Sequence, residues 1–382
     1  MITEPESIDM QRKRELFVPE EIEEKKKRIR VVLQELNLDA VYLKKQSNFS
    51  WLTGGALNVV GITMELGVTG LLVTAAGQFA VCNNIEAPRM EKEEQLEERG
   101  FQIHSFPWYE DREPEIIRRL ARGKRVGADH RLPGIEDISS KIDPLRYSLT
   151  PWETDRYKEI GRFTSEAIEQ TARKIKPGDK ECSVIGRLAE GLWENRLDYI
   201  TTFCAADERI SDYRHPIATE KKIHRRAMLC VNSRRQGLIV SLTRFVQFGP
   251  VPEEIRRKYN ANVLIDCTFM ANTVPGRPVA EAFREGIRAY ERTGYPEEYK
   301  LHHQGGAIGY VGRDYKVDFR SEEVVQENQA FAWNPSITGS KSEDTMIATS
   351  DGPILLSKPV LFPELKMAVE GVEFSRPDIL EL

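Results

Sequence analysis

The sequence predicts two domains of mixed helix and strand, an α/β domain over residues 1–150 and an α+β domain over residues 151–382. A chain of 382 residues exceeds twice the usual domain length of roughly 150, so two separate cores are expected. Helix and strand patterns alternate in the first part, whereas long helices and then apolar strands follow Thr150. Apolar residues make up 40% and charged residues 30% of the chain, which excludes a disordered or collagen-like protein.

The first domain is predicted to open with a helix over residues 19–36. Pro19 is tolerated in a first helical turn, and the glutamates that follow it suit the positive end of the helix dipole. Short apolar runs bounded by turn residues then predict strands, two of which form a hairpin around residues 75–78. In chain order we expect strands at 40–43, 66–74, 79–82, 101–106 and 125–128, and helices at 86–99 and 113–122.

The second domain is predicted to begin with a capped helix. Thr150 can cap a helix in which Pro151 is the first residue and Glu153 the third. This helix covers about 152–175 and stops at a Pro-Gly pair, and a second one covers about 182–195. Strands are expected at 227–231, 238–243, 330–334 and 345–349, with a helix inserted at 279–293.

Charge and cysteine usage indicate a cytoplasmic protein without nucleic-acid or membrane partners. The 55 basic and 60 acidic residues give a net charge of -5, which argues against wholesale binding to nucleic acid or anionic lipid. The first residues, MITEPESIDMQRKRELF, are charged where a signal peptide has an apolar segment, so export is not expected. The five cysteines are widely spaced and contain no C-x-x-C pair, which favours a reducing compartment.

Polar residues interrupt the apolar strand patterns at four places in the second domain. A buried polar group without a partner costs roughly 1–3 kcal/mol, so such residues are either hydrogen-bonded scaffold or part of a site. The four segments span residues 213–216, 231–244, 302–306 and 333–345. They contain the candidate site residues His215, Asn232, Ser241, Arg244, His303, Asn334 and Glu343.

The order and spacing of these segments resemble the creatinase, aminopeptidase P and methionine aminopeptidase superfamily, which has the pita-bread fold. His215 lies 17 residues before Asn232, and His303 lies 31 residues before Asn334. Residues 243–244 are similar to the superfamily's Thr-Arg strand, and residues 42–54 to the strand and turn of its N-terminal domain. The resemblance covers nearly the whole chain. It implies a creatinase-type α/β domain at 1–150 and an α+β pita-bread catalytic domain at 151–382.

The departures from the superfamily concern its metal ligands. Metal-dependent members hold two divalent ions with two Asp, one His and two Glu. Here Asn232 stands at the first Asp position and Asn334 at the first Glu position. The second Asp position is matched by Ser241 or, because the interval from Asn232 is short, by Thr243.

The resemblance leaves at most His303 and Glu343 as ligand types. Aligning residues 305–309 with the superfamily's Gly-His-Gly stretch would instead place Gly306 at the metal histidine. Asparagine is neutral and a weak ligand, so the loss of three carboxylates removes most of the charge that holds two dications together. We therefore expect no dinuclear metal centre and no cofactor.

Creatinase is a metal-free member that cleaves a C–N bond, and the resemblance to it implies roles for the candidate residues. His215 is then the acid/base, because its unperturbed pKa lies nearest neutral pH. His303 donates to a developing oxyanion, and Glu343 orients water or binds a cationic group. Neutral hydrogen bonds come from Asn232, Ser241 and Asn334, and Arg244 clamps a carboxylate.

Three functions remain open at this point. The first is a metal-independent hydrolase acting on a C–N bond of a small polar amide, guanidino compound or modified amino acid. The second is an Xaa-Pro peptidase acting on short peptides, with a mononuclear or unusual metal at His303 and Glu343. The third is a catalytically inactive member that binds peptides or proteins, as the histone-chaperone relatives of this fold do.

Relatives form homodimers in which the N-terminal domain borders the partner's site, so we expect a homodimer with the turn at 48–54 reaching the partner.

Overall fold

The computed structural model describes residues 17–382. The residues on which the prediction about export depends lie almost wholly outside the described part. The chain divides into two compact units, with the boundary between Arg146 and Tyr147, a few residues before Pro151. Within residues 17–382, no helix is both long enough and apolar enough to cross a membrane.

The N-terminal unit is a mixed sheet with short helices. The helices are α1 Pro19–Glu35, α2 Gln46–Leu52, α3 Ala87–Lys92, α4 Glu113–Leu120 and α5 Ser139–Ile142. The strands are β1 Ala40–Lys45, β2 Leu66–Thr74, β3 Gly77–Asn83, β4 Gln102–Phe106, β5 Val126–Ala128 and β6 Glu136–Asp137. The strands lie in the order β4-β3-β2-β1-β5-β6, and β1 pairs antiparallel with β2 and parallel with β5.

Most of the predicted elements of this unit are confirmed, with two exceptions. The helix expected at 86–99 ends at Lys92, and the chain continues in turns. The segment expected as a turn at 48–54 is mostly helix α2, and each of its residues is buried within the chain. Asn48 there donates from Nδ2 to Asp129 Oδ2 at 3.0 Å. The prediction of a turn here is therefore wrong, and the burial of these residues within their own chain argues against their reaching a partner.

The C-terminal unit contains two sheets of several strands and two hairpins. The helices are α6 Pro151–Arg173, α7 Glu181–Glu194, α8 Arg209–Asp212, α9 Glu253–Asn272 and α10 Val279–Arg292. The strands are β7 Asp198–Ala206, β8 Arg226–Arg235, β9 Leu238–Gln247, β10 Gly305–Ala307, β11 Tyr315–Lys316, β12 Gln329–Trp333, β13 Ser336–Ile337, β14 Ser340–Lys341, β15 Asp344–Ala348, β16 Ile354–Leu355, β17 Glu364–Val369, β18 Val372–Pro377 and β19 Leu380–Glu381. One sheet has the order β19-β9-β8-β7 and the other β11-β10-β12-β15-β16, while β13–β14 and β17–β18 form the hairpins.

Helix α6 begins as its sequence predicts. The Thr150 side chain accepts from the Glu153 backbone N–H, and the Glu153 side chain accepts from the Thr150 backbone N–H at 2.8 Å. Both bonds satisfy donors that a helix start leaves unpaired. The two long helices and the four strands predicted for this unit are confirmed to within a few residues, whereas α9, β7 and the β17–β18 hairpin were not predicted.

The two larger sheets are joined through β9. The Ser241 N–H donates to Thr345 Oγ1 at 2.8 Å, and the Thr243 N–H donates to the Glu343 carbonyl at 3.0 Å. Behind this junction an apolar core contains Phe269 and Trp333, whose rings stack with centroids 4.7 Å apart. The junction therefore holds the start of β15 beside the β8–β9 hairpin, where polar side chains from both sheets meet.

Candidate active site

A cavity of about 330 Å³ lies between the β8–β9 hairpin and the segments around β10, β12 and β15. Its volume is at the small end of the range for ligand sites. Of the residues proposed from sequence, the cavity wall contains His215, Asn232, His303, Asn334 and Glu343. Residues far apart in the chain thus meet at one site within the C-terminal unit.

The β8–β9 hairpin sets which side chains face one another. Asn232 pairs with Ser241 and Cys230 pairs with Thr243, so all four side chains share one face of the hairpin. Cys230 and Asn232 line the cavity, and Thr243 reaches the same region through its hydroxyl.

Glu343 is an ionised carboxylate held by cations. Its side chain is 4% exposed, and Oε2 lies 2.7 Å from Lys341 Nζ and accepts from Thr243 Oγ1 at 3.0 Å. Oε1 lies 3.4 Å from an Arg313 Nη2 donor. Burial opposes the charge, but Lys341 and Arg313 outweigh it and lower the pKa of Glu343 below its ordinary value.

Lys341 is the unexpected partner in this pair. Its side chain is 6% exposed, and Nζ also lies 3.7 Å from Cys230 Sγ. Burial would lower the pKa of the ammonium group, but Cys230 and Glu343 raise it above its usual range. Burial raises the pKa of the Cys230 thiol, so the Glu343 carboxylate is the charge that balances Lys341 at neutral pH.

Three histidines meet at one side of the cavity. His302 Nε2 lies 3.1 Å from His215 Nε2, and the His303 ring centroid is 4.5 Å from that of His302. Burial and then Lys341 lower the pKa of His302 to about 2, and burial and then Arg313 lower that of His303 to about 4. Burial and Lys341 also lower the pKa of His215. All three imidazoles are therefore neutral at pH 7.

Two glycines after His303 allow β10 to pack closely against its neighbouring strands. Gly305 and Gly306 have φ of +105° and +152°, and a Cβ on Gly306 would lie 2.1 Å from the Tyr315 carbonyl oxygen. A Cβ on Gly305 would lie 2.2 Å from the Ala332 carbonyl oxygen. The close approach is therefore to neighbouring strands, and a histidine at position 306 would not fit. Of the two aligned positions, His303 is the one whose side chain lines the cavity.

Two of the proposed substrate-binding residues do not line the cavity. Arg244 is fully buried, and it donates to Glu169 Oε1 at 2.8 Å and to Asp344 Oδ1 at 3.0 Å. It therefore serves an internal ion-pair network. Ser241 is also fully buried, and its Oγ has no hydrogen-bond partner among residues 17–382. Thr243, the rival for the same position, contacts Glu343 directly.

Sequence reasoning missed Lys341, Arg313 and Cys230, which all line the cavity. One signal was available for Lys341, since it stands two residues before Glu343 between predicted strands. No comparable signal marks Arg313, which is in an irregular segment between β10 and β11.

The residues present do not fit the two-metal centre of the superfamily. Glu343 is the one carboxylate that lines the cavity in the described part of the chain, and its oxygens already face Lys341 and Arg313. The remaining donors nearby are the neutral amides of Asn232 and Asn334. A pair of dications needs several anionic ligands, and here it would be repelled by the Lys341 and Arg313 cations beside Glu343.

The histidines offer a different kind of donor set. Ring nitrogens of His215, His302 and His303 lie within 4.8 Å of one another. Neutral imidazoles at such a spacing suit a single tetrahedral transition metal better than a dinuclear pair.

Comparisons with known proteins agree with this architecture. Residues 25–136 match the creatinase/prolidase N-terminal domain, and residues 155–351 match metallopeptidase family M24. A search of curated proteins found no match. The sequence-based resemblance to the creatinase and aminopeptidase P superfamily is thus confirmed.

Solved structures share the fold at low identity. An Xaa-Pro dipeptidase from Bacillus anthracis has a TM-score of 0.74 at 19% identity, covering 94% of this chain and 100% of its own. The prolidase from Pyrococcus furiosus has a TM-score of 0.70 at 18% identity, with coverages of 86% and 98%. The N-terminal domain of FACT complex subunit SPT16 from chickpea has a TM-score of 0.68 at 13% identity. The match covers 90% of this chain and 97% of the chickpea chain. With its family match spanning residues 155–351, more than half of the sequence, the chain belongs to metallopeptidase family M24.

Proposed function

We propose that this member of a hydrolase family cleaves a C–N bond in a small polar amide, guanidino or amino-acid-derived substrate without a metal ion. The observation that carries the proposal is the Lys341 ammonium group 2.7 Å from Glu343 Oε2, inside the cavity. The carboxylate that would bind a dication already has a built-in cation, and neighbouring ligand positions hold neutral Asn232 and Asn334. The small cavity, about 330 Å³, supports a small substrate.

His215 is the proposed acid/base. It is the most exposed of the three histidines, and its neutral ring can accept a proton near pH 7. We assign the proton of the 3.1 Å contact to His215 Nε2, which leaves its Nδ1 free as the base. His302, buried and neutral, is then the acceptor that fixes the orientation of the His215 ring.

The hydrolytic step follows from these positions. His215 removes a proton from water, and the water oxygen bonds to the carbon of the amide or guanidino group. The C–N bond breaks with its electron pair on nitrogen, and His215 passes the proton to that nitrogen. Oε1 of Glu343, with its longer 3.4 Å contact to Arg313, orients the water.

Neutral hydrogen-bonding groups, both donors and acceptors, complete the proposed site. His303, neutral because its pKa is lowered to about 4 by burial and Arg313, donates to the developing oxyanion. Asn334 Oδ1 is buried without a partner among the described residues and accepts from a substrate N–H. Asn232 contributes a second amide, and Ser241 supports it from the paired strand.

Replacing the proposed base tests the function. We expect His215→Ala to lower kcat for hydrolysis of a C–N substrate by about 100-fold or more, because general acid–base catalysis contributes factors of that size. Circular dichroism should show an unchanged fold. His224→Ala, at an exposed histidine that does not line the cavity, is the matched control. Activity retained in His215→Ala would contradict the assigned role.

Metal removal tests the second part of the proposal. We expect activity to survive treatment with a chelator and dialysis, because Lys341 already neutralises Glu343. Elemental analysis before and after treatment identifies any bound metal. Lost activity that returns with added zinc or manganese would contradict metal independence.

The second candidate is a single-metal Xaa-Pro peptidase. The three imidazoles within 4.8 Å of one another favour it over a two-metal enzyme. Metal-dependent cleavage of Xaa-Pro peptides, without cleavage of creatine-like or N-acyl compounds, would select this candidate. A non-catalytic, peptide-binding protein would turn over neither class.

We also propose that the protein works as a cytoplasmic homodimer. Its five cysteines are all free, which agrees with a reducing compartment. Membership of the superfamily supports the homodimer, and the burial of α2 within its own chain argues against its reaching the partner's site.

A further inference from the structure

The proposed base, His215, lies in an irregular segment of the chain. Within the described part, helix α8 ends at Asp212, strand β8 starts at Arg226, and neither a helix nor a strand lies between them. A displacement of about 1 Å in a catalytic group can cost about 100-fold in rate. Because no regular element holds His215, side-chain contacts of this segment determine where its ring lies.

The residue before His215 makes such contacts. Arg214 Nη2 donates to Glu298 Oε2 at 2.7 Å and to Thr338 Oγ1 at 2.9 Å. The side chains of Arg214 and Glu298 are 18% and 20% exposed. Water therefore screens this ion pair less than it screens a pair on the open surface.

Glu298 collects three hydrogen bonds on one carboxylate oxygen. Besides Arg214, Oε2 accepts from the Thr338 backbone N–H and from Thr338 Oγ1, both at 2.9 Å. Charge-assisted hydrogen bonds that form a network hold a defined geometry better than an isolated pair does. Thr338 lies between β13 and β14, the hairpin that ends at Lys341, so the network also reaches the strand with the lining lysine.

Through Glu298, the network joins the base to its neighbouring histidine. Glu298 begins the 3₁₀ turn Glu298–Leu301, which leads directly into His302. The two charged residues are 84 positions apart in sequence, and each stands close in sequence to one ring of the 3.1 Å contact between His215 Nε2 and His302 Nε2. One ion pair therefore connects both sides of that contact.

We propose that Arg214 is a positioning residue, which orients the His215 ring through its ion pair with Glu298. Arg214 acts through the base and does not line the cavity. The inference rests on the proposed function for the role of His215 in catalysis, whereas the orientation of the ring is a property of the protein without substrate.

Nitrogen-15 magnetic resonance of the full chain, labelled at its histidines, tests the orientation without requiring turnover. The two ring nitrogens of a neutral imidazole differ in chemical shift according to which one carries the proton. At neutral pH we expect His215 to show one tautomer, protonated at Nε2, because that nitrogen donates to His302. The signals that disappear in His215→Ala identify this ring.

Two variants that cut the ion pair separate position from charge. Arg214→Gln removes a positive charge and Glu298→Gln a negative one, so an effect of the electric field alone would have opposite signs. Loss of orientation has the same sign, and we expect a mixture of His215 tautomers in both. Arg214→Lys should retain part of the wild-type tautomer. Arg187→Gln, which cuts a 2.6 Å pair with Asp179 away from the cavity, is the matched control and should change nothing.

An unchanged His215 tautomer in folded Arg214→Gln and Glu298→Gln, or changes of opposite sign, would overturn the proposal. For a C–N compound that the wild type hydrolyses, both variants should lower kcat about tenfold or more and change KM less than about twofold, because the base acts in the transition state. Wild-type kcat in both variants would equally overturn it. If no C–N compound is hydrolysed, the proposed reaction fails, and the tautomer measurement alone decides the role of Arg214.

Discussion

At the scale of single residues, the electrostatics of the site depend on the ion pair between Lys341 and Glu343 in the cavity wall. Asn232 and Asn334 contribute neutral amides to the cavity wall, and Lys341 Nζ lies 2.7 Å from the lining carboxylate Glu343. Neutral amides and an internal cation act in the same direction, because both make the cavity more positive than a wall of carboxylates would. The charge of the cavity is thus set by a few side chains of its wall and does not require a different fold.

The same charges predict how His215 titrates. Burial and Lys341 lower its pKa from the ordinary 6.5. In the folded protein the ring should therefore stay mainly neutral at pH values between that lowered pKa and 6.5. Lys341→Met should raise that pKa, because it removes a cation and leaves Glu343 without its ammonium partner. Nuclear magnetic resonance of the His215 imidazole C–H against pH measures both values.

The sign of this shift has a consequence for stability. Between the lowered pKa of His215 and 6.5, the unfolded chain binds a proton that the folded chain does not, so acidification through this window destabilises the fold. His224→Ala identifies a second histidine resonance by its disappearance and should leave the His215 titration unchanged. A wild-type His215 pKa above 6.5, or no increase in Lys341→Met, would contradict the assigned electrostatics.

Much of the site could be predicted residue by residue, because polar side chains in apolar strands are visible in a sequence. His215, Asn232, His303, Asn334 and Glu343 all line the cavity. Arg244 shows the limit of this reasoning. Arg244 is an equally conspicuous charged residue in an apolar strand, but its guanidinium group forms ion pairs with Glu169 and Asp344, which are remote in sequence.

At the scale of secondary structure, β10 fixes the position of His303. The strand starts two residues after His303 and fits between β11 and β12 only because Gly305 and Gly306 lack side chains. Their positive φ angles would also strain other residues. The histidine therefore depends on a packing requirement in the adjacent strand.

Gly306→Ala tests that dependence. The added Cβ would lie 2.1 Å from the Tyr315 carbonyl oxygen, so β10 must shift. We expect the free energy of unfolding to fall by about 1–3 kcal/mol, as for other overpacked sites, and catalysis to fall with it. Chemical denaturation gives the first quantity and steady-state kinetics the second. Gly178→Ala shares a positive φ of +93° but meets no atom within 4 Å, so it should cost less and spare activity. Equal losses in both variants would contradict the packing argument.

Elements with local signals were predictable, and those defined by tertiary contacts were not. The capping box fixes the start of α6 from four consecutive residues. Helix α9 also begins with two glutamates after a proline, but its C-terminal half is buried nearly all round and contains the charged Asp266. The buried Asp266 pairs with Arg376 at 2.7 Å, a partner 110 residues away. Its helix therefore lacks an apolar face that sequence periodicity could reveal.

At the scale of the whole molecule, the fold is shared with solved relatives at 13–19% identity. Those relatives include peptidases and a FACT complex subunit, so the fold alone does not determine activity. The cavity lies within the C-terminal unit, so the side chains of that unit determine which substrate it accepts.

The oligomeric state is a property of the whole molecule that solution measurements can test directly. We expect sedimentation equilibrium to give a mass twice the 43.7 kDa of one chain, as the superfamily resemblance implies. A mass of 43.7 kDa at micromolar concentration would contradict the homodimer.

The distribution of the cysteines gives the protein a chemical handle. Cys82, Cys204, Cys230 and Cys267 are buried, and Cys182, in the first turn of α7, is exposed. Burial raises the pKa of the Cys230 thiol, which keeps it protonated and slow to react although it lines the cavity. A maleimide dye should therefore couple at Cys182 alone. Fluorescence from that position could follow the folded enzyme without any engineered cysteine and without modifying the residues that contact substrate.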